Sequence, residues 1–249
     1  MRTLFRFLQQ LWSWILDLFY PRDCVICGES VAYQGHLCPK CRKELWPDRH
    51  AKCDVCGIES PDEVTEHFTC PECTQRPPAF VKAFVALRYI ETAKELIQAF
   101  KYSKSLWLVV DFVYYLQMVY LNEVLAKGIL TDGIVPIPMT NKKLRYRGYN
   151  QAELLAKELA KRVNVPYYPK WLYRTASKTW SQARLQRKER LMNAKRIYHL
   201  RKPLQLQGKT ILLIDDVMTT GATVNACASL LKSCGATVYV LVLARPFFA

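Results

Sequence analysis

A chain of 249 residues, 51% of them hydrophobic, is long and apolar enough to bury a substantial core, which excludes global disorder. Ten cysteines, eight of them in four CxxC pairs before residue 74, make a poor disulfide framework and good metal hooks, so a reducing, cytoplasmic setting is favoured. The formal net charge of +15 is unevenly held: residues 21–79 carry 7 Lys+Arg against 10 Asp+Glu, whereas residues 142–209 carry 19 against 3. An excess of that kind points to polyanionic partners (nucleotide phosphates, nucleic acid or both), with a solvated surface as the plain alternative.

Residues 1–20 read as an amphipathic helix. Arg2, Arg6, Gln9/Gln10, Ser13 and Asp17 form a narrow polar stripe at a spacing of three to four on an otherwise apolar surface. Arg6 and Asp17 break any clean apolar run and no small-residue cleavage site follows, so neither a signal peptide nor a transmembrane segment is expected. Such a helix docks on the protein's own body, on a partner, or peripherally on a membrane surface.

Residues 21–79 contain a duplicated unit. CVICGES at 24–30 matches CDVCGIES at 53–60, and CPKC at 38–41 matches CPEC at 70–73. Zinc takes four tetrahedral thiolates, and each CxxC turn offers two sulfurs on one side of a knuckle. The repeat assigns Cys24, Cys27, Cys38 and Cys41 to one structural Zn²⁺ and Cys53, Cys56, Cys70 and Cys73 to a second; an interleaved cross-brace is the competing arrangement. Gly28 and Gly57 follow the knuckles where the chain must turn, and His36 and His67 read as bystanders. The acidic balance of this module argues against a primary grip on DNA and for a scaffold or protein-docking role. Gln75-Arg76-Pro77-Pro78 reads as the linker that ends it.

From residue 80 to 249 the expected order is a strand (81–90), helices (92–101 and 105–127), a strand (133–138), a helix (150–162), a strand (169–174) and a basic segment (178–202). A strand (210–216), its helix and a last strand (237–243) follow. Alternating strands and helices predict an α/β fold with a mostly parallel sheet covered on both faces and ligands beyond the carboxyl ends of the strands. Asn141 to Arg147 is expected as a loop bearing Lys142, Lys143, Arg145 and Arg147 on that ligand side. The basic segment carries Gln182, Arg184, Arg187, Lys188, Arg190 and Asn193, with Trp171, Tyr173 and Trp180 available for stacking on nucleic-acid bases.

The sharpest motif is ILLIDDVMTTGAT at 211–223: a buried strand, two carboxylates at its end, and a small turn opening a helix. Gly221 lets the backbone close on a phosphate, the hydroxyls of Thr219, Thr220 and Thr223 add donors, and Ala222 completes the turn. Asp215 and Asp216 then stand beside the cradle, able to accept hydrogen bonds from ribose hydroxyls. A Walker B strand is the rival reading, but Pro203 to Thr210 lacks the first glycine of a P-loop and runs into a strand. Cys227 and Cys234 fall on the apolar face of the following helix and read as core.

This run resembles the phosphoribosyl pyrophosphate loop of type I phosphoribosyltransferases. With VPIPMTNKKLRYRGYNQAELLAKELA at 135–160, SQARLQRKERLMNA at 181–194, VYVLVLARP near the C-terminus and the double CxxC start, the chain resembles the ComF family of late competence proteins. The resemblance implies a helix (1–20), a double zinc ribbon (21–79) and a type I phosphoribosyltransferase-like domain (80–249), with a role in handling DNA taken up during transformation. It also implies phosphoribosyl pyrophosphate with Mg²⁺ as ligand and Asp215 and Asp216 on the ribose. Thr219–Thr223 would hold the 5′-phosphate, Lys142, Lys143, Arg145 and Arg147 the pyrophosphate, and Arg184 and Arg187 would sit on a cationic lid. Single-stranded DNA and a competence-machinery protein docked on the ribbons are the further partners. Turnover would displace pyrophosphate at the ribose anomeric carbon, and no residue stands out as the acceptor's base. A glutamine amidophosphoribosyltransferase is not expected, since the chain begins Met1-Arg2 and continues into ribbons rather than opening on a nucleophilic cysteine.

Overall fold

The structure, a computed structural model, describes residues 22–31, 35–46, 51–60, 67–175, 197–201 and 206–246. The expected helix over 1–20 and the basic stretch with Trp180, Gln182, Arg184, Arg187, Lys188, Arg190 and Asn193 lie outside the described residues.

In the first ribbon β1 (Arg22–Asp23) and β2 (Ser30–Val31) pair antiparallel and lead to helix α1 (Pro39–Glu44). The second ribbon ends in the corresponding helix α2 (Pro71–Gln75). Both helices start at the proline of a CPxC unit, behind an extended cysteine, where a missing N–H costs nothing.

The chain continues through β3 (Ala83–Leu87), α3 (Glu91–Tyr102), α4 (Val109–Val119), β4 (Gly133–Pro136), α5 (Asn141–Arg147) and α6 (Gln151–Val163). It closes with β5 (Leu172–Arg174), β6 (Tyr198–Leu200), β7 (Thr210–Val217), α7 (Ala222–Ser233) and β8 (Thr237–Ala244). Strands β3, β8, β7 and β4 lie side by side in that order, every pair parallel. Their near-continuous apolar runs fit a sheet buried on both faces. Helices α4 and α6 cover one face and α7 the other.

Two expectations need correction. Residues 141–147 form a helix, not a loop: Thr140 accepts a hydrogen bond from the Lys143 N–H as N-cap, and Gly148 stops the helix at φ +85°. The strand expected at 169–174 shrinks to β5, which pairs antiparallel with β6 outside the main sheet.

The helical rod Leu106–Lys127 is long and apolar enough, by length and composition, to cross a membrane. Its Phe112, Val113, Tyr115, Leu116 and Val119 are nevertheless fully buried in the core, where they cover the sheet.

Both ribbons close on the free edge of β3. The Ala83 N–H donates to the Val55 carbonyl at 2.8 Å, and the Arg88 N–H donates to the Leu45 carbonyl at 3.2 Å. Gly57 is held at φ +68°, and a Cβ there would come within 2.8 Å of the Ala83 carbonyl oxygen, so this close approach requires glycine. The first ribbon also sends Leu37, Cys38, Cys41 and Leu45 into the main core, whereas the second keeps a small cluster of its own around Ile58.

Asp111 pins the first ribbon to α4. Fully buried, its carboxylate accepts from the Arg42 guanidinium at 2.8 Å and from the His36 N–H at 2.9 Å, while Tyr115 donates to the Arg42 carbonyl at 2.8 Å. Removing one partner of a buried pair strands the other. Asp111→Ala is therefore expected to destabilise the folded chain by about 3–5 kcal/mol, measured as a lower denaturant midpoint at unchanged slope.

Candidate functional site

The eight paired cysteines gather as two clusters: Cys24, Cys27, Cys38 and Cys41, and Cys53, Cys56, Cys70 and Cys73, with the four sulfurs of each within 4.8 Å of one another. The interleaved alternative is thereby excluded. The knuckles close by backbone bonds from Gly28 to the Cys24 carbonyl (2.8 Å) and from Gly57 to the Cys53 carbonyl (2.9 Å). Sulfur–sulfur separations of 3.6 Å for Cys27–Cys38 and Cys56–Cys70 fit the edge of a tetrahedron around a metal, which is about 3.8 Å for Zn–S bonds near 2.3 Å.

The donor chemistry fits a dication as well. Burial alone would raise the Cys24 and Cys53 thiols, but surrounding backbone N–H groups outweigh it and bring both to about 7. Burial and neighbouring sulfurs push Cys56 up to about 12 and Cys41 and Cys73 higher still. Four thiolates can share one such site only around a positive ion. His36 stays out of the first cluster, its ring 4.6 Å from that of Trp107, and His67 lies 3.0 Å from Asp54.

The second site is a cleft of about 210 Å³ between the carboxyl ends of β4 and β7. Strand β7 delivers Asp215 and Asp216 to its floor, and Asn150 fixes the opposite wall by donating to the Ile137 carbonyl at 3.0 Å. Lys101, at the end of α3, sits 3.0 Å from Asp216. Burial first, then the adjacent Asp216 carboxylate, pushes the Asp215 carboxyl well above the usual range. Of the four cations on α5 only Lys143 and Arg147 line the cleft. One helical turn separates them, which puts them on one face and turns Lys142 and Arg145 elsewhere. Arg147 is braced by Gln151 Oε1 at 3.1 Å and Tyr102 OH at 3.0 Å.

Thr223 borders the same cleft, while Thr220, Gly221 and Ala222 border a neighbouring cavity of about 250 Å³ shared with Arg76, Asn225 and the second cysteine cluster. Thr219 is exposed. Gly221 takes φ +72° as N-cap of α7; the Thr220 hydroxyl accepts the Ala222 N–H at 3.4 Å, which leaves the N–H groups of Thr223 and Val224 for a ligand. Asn225 Oδ1 accepts the Ala79 N–H at 2.6 Å, tying the exit of the second ribbon to this helix.

Sequence reasoning missed Lys101, Asn150, Gln151, Arg174 and Tyr198. The last two come from β5 and β6, and the Arg174 guanidinium lies 5.2 Å from the Tyr198 ring. Gln151 is 1% exposed, and its Nε2 and the Arg174 Nε are buried donors without a hydrogen-bond partner among the described residues. Two carboxylates on the floor and four cations around the rim suit a ligand that offers hydroxyls in the middle and anions at its ends. Trp171 stacks on Tyr168 at 3.9 Å, which occupies one of its faces, whereas Tyr173 stays exposed.

Comparison with known proteins finds two domain families in the chain. A double zinc ribbon domain family matches residues 15–74, and a phosphoribosyl transferase domain family matches residues 145–246. Competence protein F of Haemophilus influenzae is 29% identical over 223 residues, covering 87% of this chain and 93% of the relative. The DNA utilization protein YhgH of Shigella flexneri is 30% identical over 235 residues, covering 92% and 99%. Competence protein ComFC of Bacillus subtilis is 28% identical over 206 residues, covering 80% and 79%.

Proposed function

The chain belongs to the ComF family of competence and DNA-utilization proteins, and on that premise we propose that it binds phosphoribosyl pyrophosphate with Mg²⁺ and handles single-stranded DNA in the cytoplasm. The observation that carries the first half is the cleft itself. Asp215 and Asp216 accept hydrogen bonds from the ribose hydroxyls and Lys143, Arg147 and Arg174 face the pyrophosphate, while the N-terminal turn of α7 with Thr219–Thr223, reached past Thr223 at the cleft's edge, takes the 5′-phosphate. Mg²⁺ arrives on the pyrophosphate and neutralises part of its charge. The ligand's oxygens give the buried donors of Gln151 and Arg174 the partners they lack among the described residues. Lys101 leaves Asp216 for a ligand anion once ribose hydroxyls occupy that carboxylate.

The second half rests on charge. The 19 basic residues of 142–209 exceed what one small ligand needs, and Lys142 and Arg145 point away from the cleft, where a strand's phosphates can reach them. The division into 1–20, 21–79 and 80–249, with the two ribbons as Zn²⁺-held docking modules, belongs to the same reading. Arg184 and Arg187 are assigned to the lid.

A second reading, an active phosphoribosyltransferase, is favoured by the cations placed to stabilise departing pyrophosphate. In that reaction the bond from the anomeric carbon to pyrophosphate breaks with its electron pair leaving on oxygen, and an acceptor's lone pair forms the new bond.

Phosphoribosyl pyrophosphate with Mg²⁺, at a hundredfold excess over Kd, is expected to stabilise the protein by about 2.7 kcal/mol. A thermal melt that does not move at saturating ligand removes the first half of the proposal. Isotope exchange between pyrophosphate and the ligand, run across candidate acceptors, separates a binding protein from an enzyme.

A further inference from the structure

A groove of about 950 Å³, sharing no lining residue with the cleft, opens between the first ribbon, the end of β3 and helix α4. Lys40, Arg42 and Lys43 reach it from α1, Arg88 from beyond β3, and Trp46 and Tyr114 supply its aromatic walls. Glu44 is the one acid among its described lining residues. The acidic balance of residues 21–79 hides this segregation, because their carboxylates are spread along the module while three of the seven cations fall in the six residues of α1.

The groove is built, not incidental. Buried Asp111 holds Arg42 at 2.8 Å, and Arg42 in turn lies 4.2 Å over the Tyr114 ring. Tyr115 OH and the Arg88–Leu45 backbone bond fasten its other walls. Trp46 is only partly buried, 5.7 Å from Tyr115, so part of its indole surface faces the groove. Lys40 and Lys43 are exposed at the rim. Cations beside partly open aromatic faces match phosphates alternating with bases; a folded duplex keeps its base faces stacked and would leave the aromatics unused.

We propose that this groove binds single-stranded nucleic acid, with Trp46 as the base platform, Tyr114 as the wall on which Arg42 lies, and Lys40, Lys43 and Arg88 on the phosphates. The proposal rests on the DNA half of the function above and assigns the first ribbon a direct part in it.

The test uses the full-length, zinc-loaded protein and a fluorescent oligo(dT) strand, with anisotropy followed over a salt series. Lys40→Gln with Lys43→Gln removes two phosphate contacts, so the salt slope should become shallower by about 1.4 and affinity at ~0.1 M salt should fall about 25-fold. The ligand-induced melting shift and the zinc content should stay as they were. The pair Lys142→Gln and Arg145→Gln reports separately on the C-terminal cationic face. If that pair weakens binding while the Lys40/Lys43 pair leaves affinity and slope untouched, the groove assignment is wrong and the DNA reading stands. No oligo(dT) binding by the unaltered protein overturns both. Polyglutamate of equal charge competing as well as oligo(dT) would show that the groove reads charge alone, which overturns the nucleic-acid assignment.

Discussion

Serine in place of Cys41 should abolish one zinc and take down much more of the protein than the same change at Cys73. A structural zinc site supplies on the order of 10 kcal/mol of folding free energy, so either loss should be large. The two sites are embedded differently. Cys24, Cys38 and Cys41 belong to the same apolar core as α4 and the sheet, whereas Cys53, Cys56 and Cys73 form a small cluster with Ile58. Loss of the first site should therefore pull Leu37 and Leu45 out of the main core and lower the melting temperature of the whole domain. Loss of the second should unfold its own ribbon and loosen the Asn225–Ala79 tie, leaving a sheet that still melts cooperatively. Metal analysis should return two zinc ions for the unaltered chain and one for each variant. Equal melting temperatures in the two variants would contradict the difference in embedding, and a stoichiometry below two in the unaltered protein would remove its basis.

Asp215→Asn combined with Asp216→Asn is expected to erase most of the melting shift given by phosphoribosyl pyrophosphate while leaving the fold intact. The sign of the effect on the free protein is equally informative. The folded-state Asp215 carboxyl titrates above its unfolded value, so its contribution to stability is fully present below the unfolded value and is lost as pH rises through the folded one. At a pH above the unfolded value the buried Asp215 carboxyl therefore costs stability, and replacing it with an amide should raise the melting temperature of the ligand-free variant. Lys101 would lose its ion pair with Asp216, which offsets part of that gain. A double variant whose ligand shift matches that of the unaltered protein would mean that the acids do not hold the ribose. A ligand-free variant that melts lower would mean that Lys101 outweighs the repulsion between the two carboxylates.

Local chemistry was legible in the sequence wherever the partners are neighbours along the chain. The cysteine pairs could be sorted because each CxxCG unit is followed by its own CPxC, and Asp215, Asp216 and Gly221 lie within one strand–turn–helix. At residues 141–147 four cations suggest a surface loop, whereas the capping Thr140 and the terminal Gly148 mark the start and the stop of a helix. Lys101 and Arg174 could not be read, since they lie more than a hundred and about forty residues from the acids they face and only tertiary packing brings them there. The first ribbon's groove was concealed by averaging charge over 21–79, which blends the basic α1 with acidic stretches elsewhere in the module.

The strand order has a consequence for synthesis. Strand β3 pairs on one side with β8, about 150 residues later in the chain, and with no other strand of the sheet. A ribosome releases β3 long before that partner exists, and a lone apolar strand of a parallel sheet invites association with other nascent chains. The two ribbons precede β3 and bond to the Ala83 N–H at one end of the strand and the Arg88 N–H just past the other. They are positioned to escort β3 through the interval, shielding it until β8 is translated and takes the opposite edge.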